Sequence, residues 1–263
     1  MLKFLPVVDG QNSNVHSTMI HMHQQQYISK IISLSVMVAS TKAMRMLSLC
    51  RKKELTFVKQ SHLQRESLTR AAKFYHSALH EAEDYLAERG ISLEQAQRMR
   101  LGVVLEPLTG HEAYINRLAI PYLTRSGVVD LRFRAMDHSE PKYMGITGAT
   151  THLYNVGAFF KASSYISICE GEIDTITLDA VCGIPAVGVP GVNNWKKHYT
   201  RLLSDFEKVF LFADGDNAGA EFGKSLAKEL PNLTIVNMPE GEDVNSIYRT
   251  NGVEYFQQKI ASA

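Results

Sequence analysis

Carboxylates recur in this 263-residue chain just after short apolar runs. Glu170 stands in ICEGEID (168–174), Asp214 and Asp216 in FADGDNAG (212–219), and Glu242 with Asp243 in PEGEDVN (239–245). Gly171 and Gly215 each follow an acid directly and let the backbone turn sharply there. Acids gathered in one place repel one another unless a cation neutralises them. Hard oxygen donors at such spacing suit Mg²⁺ or Mn²⁺ rather than Zn²⁺. Singly, a Glu-Gly or an Asp-Gly-Asp turn is common in solvated loops. The recurrence is more telling: a Glu, an Asp-x-Asp pair about forty residues on, and a third acidic group after the next apolar run.

The elements that must position these acids read as alternating strands and helices. Strands are expected at 165–169, 186–189, 209–213 and 233–237. Helices are expected at 172–181, 194–203 and 218–230, with further helical segments at 243–249 and 253–260. That rhythm predicts βαβ units and a parallel sheet covered by helices. Each acidic turn then falls at the carboxyl end of a strand, where such sheets bind ligands.

Upstream the pattern changes, with the boundary near 155–163. Residues 67–87 read as an amphipathic helix with Ala71, Phe74, Ala78, Ala82, Tyr85 and Leu86 near one face, ended by Arg89-Gly90. Ser92 with Gln95 forms a capping-box pattern that opens another helix. A short strand is expected at 101–105, and 117–123 with 128–135 read as an antiparallel pair about a turn at 125–127. Pro121 argues that its strand lies at an edge or a bulge. Alternation places Arg132 and Arg134 on one strand face, the arrangement a phosphate track requires, although two solvated surface arginines would read the same way.

Composition excludes several classes. Hydrophobic residues make up 45% and charged residues 21%, ordinary for a globular chain with a real core. No apolar run reaches the length of a membrane span, and no secretory signal pattern opens the chain. Cys50, Cys169 and Cys182 are too few and too scattered for a disulfide framework or a four-thiolate zinc site, and a cytoplasmic setting fits. Residues 1–60 carry eight Lys/Arg against Asp9 and Glu54 within an overall formal charge of +1. This basic stretch, with its HMH tract at 21–23, is expected to be a poorly ordered extension rather than a nucleic-acid-binding arm. Cys169 is expected to fill the core, and Trp195, the only Trp, to pack rather than stack on a base.

ICEGEID followed by FADGDNAG resembles the Toprim domain of bacterial-type primases, topoisomerases, nucleases and recombination mediators. Its DGDxAG form, Asp214 to Gly219, is similar to that of DnaG-type primases. Residues 82–104 resemble the helical segment opening the primase catalytic core, and 120–144 resemble its β-rich part, which ends here in Pro141-Lys142-Tyr143. The resemblance covers roughly 70–260. It implies metal ligands at Glu170, Asp174, Asp214, Asp216 and Asp243, with Glu170, Asp214 and Asp216 catalytic. A further Asp of the family pattern is replaced by Asn245, which implies a more weakly held second metal. The family's basic ridge falls on Arg134 and Lys142, with Arg132 as a neighbour, for template and nucleotide phosphates.

The expected architecture is therefore α/β: a basic extension at 1–63, a smaller α+β subdomain at 64–160, and a Toprim parallel-sheet domain at 161–263. The expected activity is that of a DNA primase, a nucleotidyltransferase making short RNA primers on single-stranded DNA from ribonucleoside triphosphates with Mg²⁺ or Mn²⁺. The resemblance implies a replicative helicase and, because no zinc-ribbon ligands are present, a separate zinc-ribbon polypeptide as partners, in the manner of a reduced phage primase. A Toprim nuclease and a non-catalytic DNA-binding accessory are the alternatives. Neither needs the 120–144 segment.

Overall fold

The structure is a computed structural model that describes residues 30, 44–46, 48–49, 51–52, 60–137, 139–191 and 194–262. The chain forms two compact units, Met1–Ser61 and His62–Ala263. In the first, the described residues are helical, and Met44, Met46 and Leu49 are exposed. Most of the basic stretch, including the HMH tract and Cys50, lies outside the described residues, so the order expected of it does too.

The second unit contains two four-stranded sheets. Helix α1, described in this unit over 62–76, leads into a 3-10 turn at Leu79–Ala82, then α2 (Glu83–Glu88) and α3 (Leu93–Arg98). The single helix expected over 67–87 is thus broken at Ser77, whose hydroxyl donates to the Phe74 carbonyl and competes with the helical ladder. Phe74, expected on the buried face, is exposed, and Tyr75 is buried instead, in line with Leu68, Ala71 and Ala72 on the same helix. The capping box of Ser92 and Gln95 opens α3 as its sequence indicates.

The first sheet runs β1 (Gly102–Val103), β2 (Arg117–Thr124), β3 (Gly127–Ala135) and β4 (Tyr143–Gly145) in that order, all antiparallel. β1 pairs with β2 only through Leu118 and Ala119, so Pro121 lies beyond the end of its neighbour and next to a register shift at Tyr122/Leu123. The missing N–H is tolerated there. One face packs Ala119, Leu131 and Phe133 against α1, with Phe133 stacked on Tyr114 at 3.9 Å between centroids. The opposite face presents Leu118, Ile120 and Tyr122, and through their β3 partners Arg134, Arg132 and Asp130.

The second sheet is wholly parallel, in the order β6 (Ala186–Gly188), β5 (Tyr165–Cys169), β7 (Lys208–Ala213), β8 (Leu233–Asn237). Helices α5 (Lys197–Leu203) and α6 (Asn217–Leu226) supply one covering layer, where Leu203 and Phe222 pack on Ile168 and Leu211. On the other face, α7 (Val244–Ala261) packs Val244, Ile247 and Phe256 on Phe210 and Phe212. The two helical segments expected near the C-terminus form this one element, kinked at Gly252, where φ is +72°. α4 (Glu172–Ile176), prolonged by a π turn at Thr177–Val181, contributes Ile173 and Ile176 to a core shared with the first sheet and α2–α3. Cys169 and Trp195 take packing roles: Cys169 is fully buried, and Trp195 stands edge-on to Tyr199 and Phe222.

Candidate functional site

From β5 the chain crosses to β6 on one side, and β7 then lies on the other, so strand order reverses between β5 and β7. Glu170 and Asp214 are the first residues beyond these adjacent strands, at the switch point where open α/β sheets bind ligands. The Asp214 N–H donates to Glu170 Oε1 at 3.0 Å. The DGD turn is laced to the next acidic loop: Gly215 N–H donates to the Glu242 carbonyl at 2.9 Å, and Gly241 N–H to the Gly215 carbonyl at 2.8 Å. A Cβ at position 215 would stand 1.7 Å from the Pro239 carbonyl oxygen, so only glycine permits this approach.

Four of the five carboxylates expected as metal ligands share one device. Each has an oxygen anchored by a backbone N–H, which fixes the side chain and leaves the other oxygen for a ligand. Glu170 accepts from Asp214, and Asp174 Oδ1 accepts from Asn245 at 3.0 Å. Asp216 Oδ1 accepts from Gly219 at 2.8 Å and so caps α6, while Asp243 Oδ1 accepts from Ser246 at 2.7 Å and caps α7. Asp214 is the exception: its Oδ1 is buried with no hydrogen-bond partner among the described residues.

The electrostatics follow from this crowding. Burial, reinforced by Asp174, Glu170, Asp243 and Asp216, raises the Asp214 carboxyl to about 8. Burial raises Glu170 to about 6 against the Asp214 N–H, with Asp216 and Asp174 adding to the rise. Asp174 is pushed up by burial and by Asp243, with Arg134 opposing. The five acids thus sense one another. They do not converge on a point, however: among the described residues no three His, Cys, Asp or Glu side chains meet as a ligand set for one ion. The convergence expected from the sequence is therefore looser here, because the caps and backbone anchors hold the acids along a loop edge.

Asn245 is buried and turned to another task. Its side-chain amide donates to the Arg89 carbonyl at 2.9 Å and to Thr177 Oγ1 at 3.0 Å, tying α7 to α4 and to the end of α2. The amide is thus used to join elements, not held out beside the carboxylates.

The basic row is placed differently from a solvent-facing track. Arg132 and Arg134 do share a face of β3, but that face looks onto α2 and α4. Arg134 is 6% exposed; its Nε donates to the Tyr85 hydroxyl at 2.5 Å and its Nη1 to the Tyr143 hydroxyl. The expectation that Arg134 is an exposed charge is corrected by this packing. Arg132 is half-buried and Lys142 is exposed.

Sequence reasoning missed Tyr122, Asp130 and Glu172, which line the same interface. Glu172 is 3% exposed at the start of α4, and the Tyr122 hydroxyl donates to its Oε1 at 2.6 Å. Burial and the nearby Glu172 charge hold the Tyr122 phenol far above its ordinary value. The available signal was the alternation Leu118, Ile120, Tyr122, which marks an inward face.

Residues 167–248 match a family model described as Toprim-like. The gene 57 protein of Mycobacterium phage D29 is 45% identical over 152 residues, 56% of this chain and 99% of that protein. The DNA primase of Buchnera aphidicola is 27% identical over 169 residues, 58% of this chain but 29% of its own length. The Aquifex aeolicus primase, a structure containing zinc-binding and RNA polymerase domains, superposes with a TM-score of 0.65 at 23% identity, over 76% of this chain and 60% of that one. At that identity the likeness shows the fold.

Proposed function

The chain belongs to the family of the gene 57 protein of Mycobacterium phage D29 and carries a Toprim-like segment, and from that premise we propose that it is a DnaG-type primase core that makes short RNA primers on single-stranded DNA from ribonucleoside triphosphates. The observation that carries this reading is the Glu170–Asp214 pair at the switch point, with Asp214 Oδ1 buried and without a hydrogen-bond partner among the described residues. A donor set made only of carboxylate oxygens fits a hard divalent cation, Mg²⁺ or Mn²⁺. Glu170 and Asp214 would hold it, with Asp216, Asp174 and Asp243 beside them on the same loop edge. When bound, such a cation neutralises phosphate charge and stabilises the attacking and leaving oxygens of phosphoryl transfer.

The chain's own residues supply position. The Asp214 N–H orients Glu170, and the N-caps of α6 and α7 orient Asp216 and Asp243. Lys142 and Arg132 are the cations left for template and nucleotide phosphates. Arg134, fixed by Tyr85 and Tyr143, is a positioning residue whose charge favours the ionised form of Asp174. A replicative helicase and a separate zinc-ribbon polypeptide would act with this chain on the template.

The test combines two measurements on the full chain. Labelled ribonucleotides, single-stranded DNA and Mg²⁺ or Mn²⁺ are expected to give short RNA products that Asp214→Asn and Asp216→Asn abolish. Mn²⁺ is expected to raise Tm in the parent through binding to the folded state, and not in the double variant. Cleaved DNA without a nucleotide requirement would replace this reading with a nuclease. DNA binding without turnover would replace it with an accessory role.

A further inference from the structure

A group of basic side chains stands at the same sheet edge as the carboxylates, on the other side of β5. Residues 141–169 and 180–204 contain no Asp or Glu, and they bring together His152, Lys196, Lys197 and His198. Tyr154 exchanges backbone hydrogen bonds of 2.9 and 3.1 Å with Gly188, the last residue of β6. The next N–H, of Val189, donates to the Cys169 carbonyl at the end of β5, at 2.8 Å. The chain beyond β6 therefore leaves the sheet at the edge where Glu170 emerges, while Asp214 follows β7 on the opposite flank of β5.

Contacts within the group fix it. The Lys196 ammonium donates to the Thr151 carbonyl, which also accepts from the Tyr199 hydroxyl at 3.4 Å. Thr150 Oγ1 lies 3.1 Å from His152 Nε2, and the His198 ring stands edge-on to Tyr199 at 4.3 Å between centroids. Burial and the charges of Lys196 and His198 hold His152 below the ordinary imidazole value, so these three groups sense one another. Lys197 and His198 are exposed, and none of the four makes an ion pair among the described residues. Glu229, the acid that reaches this part of the chain, is taken by the Thr200 hydroxyl at 2.8 Å and the Trp195 indole at 3.3 Å. Cations held together without an acid repel one another until an anion joins them.

From this arrangement we infer that the group binds a polyphosphate and that, in the primer synthesis on whose proposal this rests, it takes the triphosphate of the initiating ribonucleotide. The first condensation joins the 3′ oxygen of that nucleotide to the α phosphorus of the incoming one. Pyrophosphate leaves the incoming nucleotide, and the hydroxyl proton passes to water. The initiating nucleotide keeps its own triphosphate. Two polyphosphates must therefore be held at once, and a cation among the carboxylates serves only the incoming one. The other needs a cationic site on the same edge but apart from the acids. A compact group suits such a concentration of charge, whereas a strand backbone, with one charge per phosphate, needs an extended row.

Sodium tripolyphosphate is titrated into the full chain without divalent metal, with oligo-dT as the comparator for a strand backbone. The variant Lys196→Gln/Lys197→Gln/His198→Gln keeps a donor for the Thr151 carbonyl and removes the charges. It is expected to bind tripolyphosphate about tenfold more weakly, to change little toward oligo-dT, and to retain the Mn²⁺ shift in Tm. In the primer assay, RNA started from ribonucleoside triphosphates alone is compared with extension of a ribodinucleotide bearing a 5′-hydroxyl. The ratio of the first to the second is expected to fall about tenfold in the variant. An equal fall in both reactions, no change in either, unaltered tripolyphosphate binding, or a parallel loss of oligo-dT affinity would overturn the assignment. The titration needs no turnover, so a parent that makes no RNA overturns the proposed reaction while binding still decides the polyphosphate site.

Discussion

The hydroxyl of Tyr122, on β2 of the antiparallel sheet, donates to Glu172 Oε1 at 2.6 Å, at the first turn of the helix that follows the parallel sheet's central strand. Glu172 lies two residues beyond Glu170 and two before Asp174. One buried hydrogen bond therefore couples the first sheet to the stretch that carries two of the candidate ligands. It is charge-assisted, and both partners are buried, which makes it stronger than a surface contact and more damaging to lose.

Tyr122→Phe is accordingly expected to lower stability by about 1–3 kcal/mol, because the Glu172 carboxylate stays buried without its donor. Urea unfolding monitored by circular dichroism measures this. An unchanged midpoint would mean that Glu172 finds another partner at no cost.

Asp130 gives a pH signature away from the carboxylate site. Burial, opposed by the Leu131 N–H and Arg132 and aided by Glu172, raises it to about 6. A carboxyl raised in the folded state binds protons more tightly there than in the unfolded chain. Its contribution is therefore fully present below the ordinary carboxylate value and is lost as pH rises through about 6. Asp130→Asn, which keeps an oxygen for the Leu131 N–H, is expected to be more stable than the parent at pH 8 by about 1 kcal/mol and to show a flatter stability profile between pH 4 and 7. Parallel profiles for the two proteins would contradict the assignment.

Asn245→Asp restores the residue type of the family pattern but removes the donors to the Arg89 carbonyl and Thr177 Oγ1. It sets a buried carboxylate against a carbonyl oxygen, close to Asp174. A loss of about 2–4 kcal/mol is expected, with no gain in Mn²⁺ binding, as read by thermal melts with and without the ion. A tighter Mn²⁺ response at unchanged stability would show that the side chain can turn toward the acids.

Arg134 and Lys142 should separate cleanly. Arg134→Ala leaves the Tyr85 and Tyr143 hydroxyls without their partner and is expected to cost about 2–4 kcal/mol of stability. Lys142→Ala is expected to stay within about 0.5 kcal/mol of the parent while reducing the salt dependence of single-stranded DNA binding. Equal stability for both variants would place Arg134 at the surface after all.

Much of this protein is legible from local signals. The parallel sheet is, because apolar runs of strand length alternating with helical runs admit few other arrangements, and residues 165–169 and 233–237 form strands with the expected bounds. The placement of Glu170 and Asp214 is legible for the same reason, since the residue after a central parallel strand must emerge at one sheet edge. Which elements cover each side of β3 was decided only by the tertiary structure. Alternation puts Arg132 and Arg134 together, but whether their face meets water or α4 depends on how two sheets distant in sequence pack. The fates of Asn245 and Glu172 were settled in the same way, because their partners Arg89 and Tyr122 lie 156 and 50 residues away. No local period encodes a contact across such separations; it forms only when burial brings the two surfaces together and their polar groups must be satisfied.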